Sequence, residues 1–152
     1  MHLVIFSGSV FGTADEVADV AAEQCRAAGL QVTRLKPPTV DGLLEARADA
    51  LLACCSTTGM GELPDTIQDF YYEMQSRFPL LTDKPFGVIA LGDSGYGDTF
   101  CQGGEQIREL LLELQGREIS PMLRLDASET VTPEDDAKPW LDDFVAALQT
   151  QE

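Results

Sequence analysis

The chain has 152 residues, enough for one domain with a substantial core and too few for two. It is 44% hydrophobic and 24% charged, the balance of a globular chain rather than a disordered one. Ten basic against 26 acidic side chains leave a net charge of −16, which argues against nucleic acids and anionic membranes, since both recruit basic patches, and leaves basic protein faces as the electrostatic complement.

The first apolar run, Leu3 to Phe6, is short and has no basic residue ahead of it, so neither a targeting segment nor a membrane span is read there. A single domain over residues 1–152 in the cytoplasm is expected. Cys25, Cys54, Cys55 and Cys101 form no CxxC pair and read as reduced, packed thiols.

Leu3 to Phe6 ends at Ser7-Gly8-Ser9 and reads as a buried strand. Ala14, Val17, Ala18, Ala21 and Cys25 then recur on one face of a helix that stops near Gly29. Leu30 to Lys36 alternates as a second strand and is closed by Pro37-Pro38. Ala50 to Cys55 is apolar throughout, as a parallel strand covered on both faces should be. Ile67, Phe70, Tyr71, Met74 and Phe78 mark a second helical face, and Phe86 to Leu91 a fourth buried strand. Ile107, Leu110, Leu111 and Leu114 give a helix ending at Gly116, and Ile119 to Leu125 a fifth strand. Thr132-Pro133-Glu134-Asp135 is a helix start, with Trp140, Leu141, Phe144, Val145 and Leu148 as the buried face behind it.

Strands alternating with helices predict an α/β fold in which helices cover both faces of a parallel sheet. Ligands of such sheets bind beyond the carboxyl ends of the strands, near the point where the winding reverses. Function is therefore expected in the loops after strands one, three and four.

The first loop, Ser7 to Ala14, is rich in glycine and hydroxyls and leads into a helix, where backbone N–H groups can converge on an anion. It is neither a P-loop nor a dinucleotide fingerprint. The same residues also spell a simple capping box, Thr13 with Glu16. The second loop runs from Ser56 to Asp65 and the third from Gly92 to Cys101; both are long for a domain of this size. Tyr96 lies among glycines outside any helical or strand period, placed either to stack on a flat ligand or to pack over its own loop. No Lys or Arg falls within the three loops, whereas Glu62, Asp65, Asp69, Asp93 and Asp98 lie in or near them. A phosphate there would be held by neutral donors in a negative field, which suits a low-potential electron carrier.

These residues resemble the short-chain members of the flavodoxin family. Leu91-Gly92-Asp93-Ser94-Gly95-Tyr96-Gly97-Asp98-Thr99-Phe100-Cys101 is similar to the family's LGDSxY…FC loop over the flavin. Cys55-Ser56-Thr57-Thr58-Gly59 is similar to the loop on the other flavin face, and Ser9-Val10-Phe11-Gly12-Thr13-Ala14 to the phosphate loop. The resemblance covers nearly the whole chain. It implies a flavodoxin-like three-layer sandwich with a five-stranded parallel sheet of order 2-1-3-4-5.

It also implies noncovalently bound FMN. Ser9, Gly12 and Thr13, with Ser56 and Thr57, would hold the phosphate, and Val10, Phe11 and Ala14 complete that loop. Tyr96 would stack on the outer ring face, with Gly97 beside it. Leu91 and Gly92 lead into the backbone near Asp93, which with that near Cys101 would hydrogen-bond the pyrimidine edge, and Phe100 completes that loop. A peptide at Gly59-Met60, before Gly61, would accept a hydrogen bond from the reduced ring. Phe11 replaces the family's usual hydroxyl, reducing that contact to backbone. Thr58 replaces an aromatic on the inner ring face, leaving it to Met60 or more open.

The implied function is a monomeric, low-potential one-electron carrier, and not an enzyme, running from an NAD(P)H-dependent reductase to acceptor enzymes that dock through basic faces. One alternative is an FMN-dependent NAD(P)H:quinone oxidoreductase, which would need a dimer to complete its pocket. A receiver-type signalling module fits less well, because it needs Asp at the end of strand three, where Cys55-Ser56-Thr57 stands.

Overall fold

The computed structural model describes residues 1–58 and 60–150, with the backbone alone at Tyr96, Asp98 and Thr99. β1 (His2–Gly8), β2 (Gln31–Leu35), β3 (Ala50–Cys55) and β4 (Pro85–Gly92) form a parallel sheet. Two short segments, β5 (Arg117–Glu118) and β6 (Leu123–Asp126), share its last edge, both parallel to β4. The spatial order is β2-β1-β3-β4 followed by this divided fifth strand. The winding reverses between β1 and β3, the expected 2-1-3-4-5 arrangement.

The helices are α1 (Thr13–Ala27), α2 (Val40–Ala46), α3 (Asp65–Arg77), α4 (Gln102–Glu113), α5 (Pro133–Asp136) and α6 (Lys138–Gln149). The period of two along each central strand sorts its side chains between two cores. Leu3 and Ile5 of β1, Leu52 and Cys54 of β3, and Ile89 and Leu91 of β4 pack under α1 and α6. Val4 and Phe6, Leu51 and Ala53, and Phe86 and Val88 pack against α2, α3 and α4. Phe6 and Phe70 meet edge to face at 5.0 Å, anchoring α3 to the sheet.

Three local readings are corrected. The fifth strand is not continuous over Ile119 to Leu125. Phe86 pairs with Glu118 and Ile89 with Leu123, so five steps on one strand match three on the other. Pro121 lies in this bulge, where it has no N–H to give a ladder, and its carbonyl accepts from Trp140 Nε1 at 2.8 Å. Phe78 is not part of the buried face of α3; it caps that helix with φ 50° and is partly exposed. α2 has no counterpart among the predicted helices. It buries only Val40 and Leu43 and is started by Thr39, whose Oγ1 accepts from Gly42 N at 3.0 Å.

Among the described residues no helix is long and apolar enough to cross a membrane.

Candidate functional site

The ends of β1, β3 and β4 deliver three loops to one edge of the sheet. Ser56 N donates to the Gly8 carbonyl at 2.9 Å, tying the first two loops together where they leave the strands.

The first loop turns at Gly12, whose φ of 89° lies in the left-handed region that side-chain-bearing residues rarely adopt. Gly12 is the cap of α1, and no side chain caps that helix. The capping box expected from Thr13 and Glu16 is therefore absent, because Thr13 is already the first helical residue and cannot serve as its cap. The N–H groups of Thr13, Ala14 and Asp15 find no acceptor among the described residues. In the same loop, ahead of Gly12, Ser9 is 6% exposed, and its Oγ is buried without a hydrogen-bond partner among the described residues. Its backbone is fixed by Thr66, whose Oγ1 accepts from Ser9 N at 2.9 Å. Enclosed polar atoms without partners are rare and costly, so this hydroxyl and the uncapped helix end are unmet donors that suit an anion.

The second loop is a closed turn. Thr58 N donates to the Glu62 carbonyl at 3.0 Å, Gly61 N to the Thr58 carbonyl at 2.9 Å, and Glu62 N to Thr58 Oγ1 at 2.9 Å. Thr58 thus acts through its backbone and hydroxyl to shape the turn. Gln106 on α4 braces it, Nε2 donating to the Gly61 carbonyl at 2.9 Å. Thr57 Oγ1 accepts from Gly103 N at 2.9 Å. A Cβ at position 103 would collide with the Ser56 carbonyl, so glycine permits this approach of α4 to the loop.

The third loop is a short 3₁₀ helix over Ser94–Thr99, broken at Gly97. Asp93 Oδ1 accepts from Gly95 N at 2.8 Å. One carboxylate oxygen of Asp126 accepts from Ser94 N at 3.0 Å, Ser128 N at 2.9 Å and Ser128 Oγ at 2.8 Å. The Ser94 side chain first, then its backbone N–H and the Ser128 donors, hold its carboxyl well below the usual carboxylate range. The loop ends at Cys101, which has φ 58° and a fully buried thiol pushed up to about 11 by that burial.

Between these loops lies a cleft of roughly 430 Å³. Of the expected site residues, Val10, Phe11, Thr13, Ser56, Thr57, Thr58, Leu91, Gly92 and Asp93 line it. A hollow of roughly 190 Å³ adjoins it, sharing Thr13, Leu91, Gly92 and Ala127. The side chains of Ala14 and Cys101 are fully buried, that of Ala14 in the core, and neither lines the cleft. Phe11 and Met60 are 93% and 82% exposed. Gly61 belongs to the braced turn, and Gly97 and Phe100 close the third loop through a bond from Phe100 N to the Gly97 carbonyl at 3.0 Å. Gly59 and the ring of Tyr96, to which the switch and the stacking role were assigned, lie outside the described residues.

Two contributions escape sequence reasoning. The loop after β6 supplies Ala127 to the cleft and Thr130 and Val131 to the hollow, although it follows a strand away from the switch point. Arg34 on β2 reaches behind the first loop, where its Nη2 donates to Ser7 Oγ at 2.6 Å. The three loops contain no cation in sequence, but the neighbouring strand brings one to their base.

The family model described as flavodoxin matches residues 5–140. An uncharacterised protein of Pseudomonas aeruginosa is 56% identical over 98% of this chain and 99% of its own. Flavodoxin YqcA of Escherichia coli is 35% identical over 95% of this chain and 96% of its own. Among solved structures, the C101S mutant of a Pseudomonas aeruginosa flavodoxin superposes with a TM-score of 0.95 at 56% identity, covering 98% of this chain and 99% of that one.

Proposed function

The chain belongs to the flavodoxin family of FMN-binding electron carriers, and from that premise we propose that it shuttles single electrons at low potential from an NAD(P)H-dependent reductase to acceptor enzymes. The observation that carries the reading is Ser9 Oγ, enclosed without a partner in the loop that leads into the uncapped start of α1. Its hydroxyl and the N–H groups of the first helical turn would hold the phosphate of FMN, as would Thr13, Ser56 and Thr57. Thr57 Oγ1 already accepts from Gly103, which leaves its own proton to donate.

When bound, FMN supplies the one-electron chemistry; the protein binds it, orients it and sets its field. Leu91 and Ala127 give the cleft wall apolar surface that would exclude water from the ring. The turn from Thr58 to Gly61 would lie against one ring face and the loop carrying Tyr96 against the other. Glu62, Asp65 and Asp69 are exposed, within a net charge of −16. At an effective dielectric near 20, each carboxylate several ångströms from an added electron opposes it by about 1–4 kcal/mol before salt screening. The same acids would steer the carrier to basic docking faces with salt-sensitive rates.

The absorbance spectrum of freshly purified protein tests this reading. A yellow protein with a flavin spectrum, reduced by a reductase plus NADPH but not by NADPH alone, is expected. A colourless protein that refuses added FMN overturns it, and rapid NAD(P)H oxidation by the protein alone points instead to a quinone-reducing enzyme.

A further inference from the structure

We propose that Arg34 is a positioning residue for the phosphate end of the cleft: by neutralising Asp15 in the first turn of α1, it makes that helix end available to a doubly charged phosphate ester. The inference rests on the FMN reading above and adds a residue that lies in none of the three loops.

Arg34 sits on β2 opposite Ile5 of β1, and its side chain is only 12% exposed. Its Nη2 donates to Ser7 Oγ at 2.6 Å, and Ser7 Oγ donates in turn to Asp15 Oδ1 at 2.6 Å. Arg34 Nη2 itself lies 3.6 Å from Asp15 Oδ1, and Nε donates to Asp19 Oδ1 at 3.0 Å. Lys36 Nζ approaches Asp15 from the solvent side at 3.8 Å. Ser7 immediately precedes Gly8 and Ser9, so the relay passes through the base of the first loop on its way to Asp15.

The charge balance is informative. An acid in the first turn suits the positive end of a helix when no ligand is present, but it competes with any anion that binds there. Two carboxylates, Asp15 and Asp19, face two cations, Arg34 and Lys36. The nearby Cys54 thiol adds no charge, since burial pushes it up to about 12. Of the two cations Lys36 is the more exposed, 58% against 12%, and is the more screened by solvent. Arg34 therefore carries most of the compensation, and its forked head also fixes Ser7 to α1 through the shared hydroxyl. Removing it would leave a phosphate facing partly uncompensated carboxylates.

The test is a fluorescence-quenching titration of the apoprotein with FMN and, separately, with riboflavin, which lacks the phosphate. R34M should raise the Kd for FMN about tenfold or more while moving that for riboflavin less than about twofold. The double variant R34M/D15N should return FMN affinity to within about threefold of the native value. D15N alone keeps the arginine, does not depend on R34M folding, and should tighten FMN but not riboflavin. Equal weakening of both flavins by R34M, no recovery in the double variant, or an unchanged FMN affinity in D15N overturns the role of Arg34. A native apoprotein that binds neither flavin overturns the FMN reading itself, and this inference with it.

Discussion

Ser9 shows how a residue can be costly to the empty protein and useful to the filled one. Its hydroxyl is buried without a partner, a state that costs about 1–3 kcal/mol, and replacing it with a methyl group removes that cost. S9A should therefore leave the apoprotein as stable or more stable in denaturant, while weakening FMN binding by about tenfold through the lost donor. An apoprotein destabilised by S9A would mean the hydroxyl already has a partner. The position was legible in sequence as a hydroxyl in a glycine-rich turn, but its enclosure was not, because the backbone of Ser9 is held by Thr66, far along the chain, only in three dimensions. Thr13 was legible as a hydroxyl at a helix start, yet its assignment as a cap failed. The left-handed conformation of Gly12 starts the helix one residue earlier than a capping box requires.

At the scale of elements, the buried strands were readable because β1, β3 and β4 are covered on both faces and so carry near-continuous apolar runs. The divided edge strand was not, since Ile119 to Leu125 keeps an apolar pattern through the bulge at Pro121. α2 was missed because its short amphipathic period is interrupted by Gly42 and buries only two side chains. The turn after β6 was also unread, although it joins two walls of the cleft. Asp126 binds both Ser94, at the start of the third loop, and Ser128, while Ala127 N donates to the Gly92 carbonyl at 2.8 Å. D126A should weaken FMN binding by about three- to tenfold, and D126N by less, because the amide oxygen can still accept from Ser94 and Ser128. Both variants lose the same charge, so equal effects would assign the change to electrostatics rather than to the clasp. The depressed carboxyl also gives a sign. Its stabilisation is fully present above the ordinary value of 3.8 and fades as pH falls below it, so the native advantage over D126A in denaturant should shrink in acid. An advantage that grows on acidification contradicts the assignment.

Across the whole molecule, the excess of acids was the most legible feature and the cation behind the cleft the least. Composition shows the number of charges, but strand pairing decides that Arg34 reaches Ser7. The thiols add a second global dependence on pH. Burial raises Cys25 and Cys101 to about 11 and Cys54 to about 12 from an ordinary value of 9.0, and raises Cys55 as well. The folded chain thus keeps protons that the unfolded chain releases. This contribution is complete below pH 9 and is lost as pH rises toward about 12, so the denaturant midpoint should fall across that range with proton release on unfolding. A midpoint that rises over the same interval would mean the thiols are not buried as described.

If the three loops receive a monophosphorylated flavin, an equilibrium titration of the native apoprotein with FMN, followed by quenching of flavin fluorescence, reads that directly. Saturation at one FMN per chain, with riboflavin bound about a hundredfold or more weaker, is the predicted result. Absence of quenching, or equal affinity for the two flavins, contradicts it.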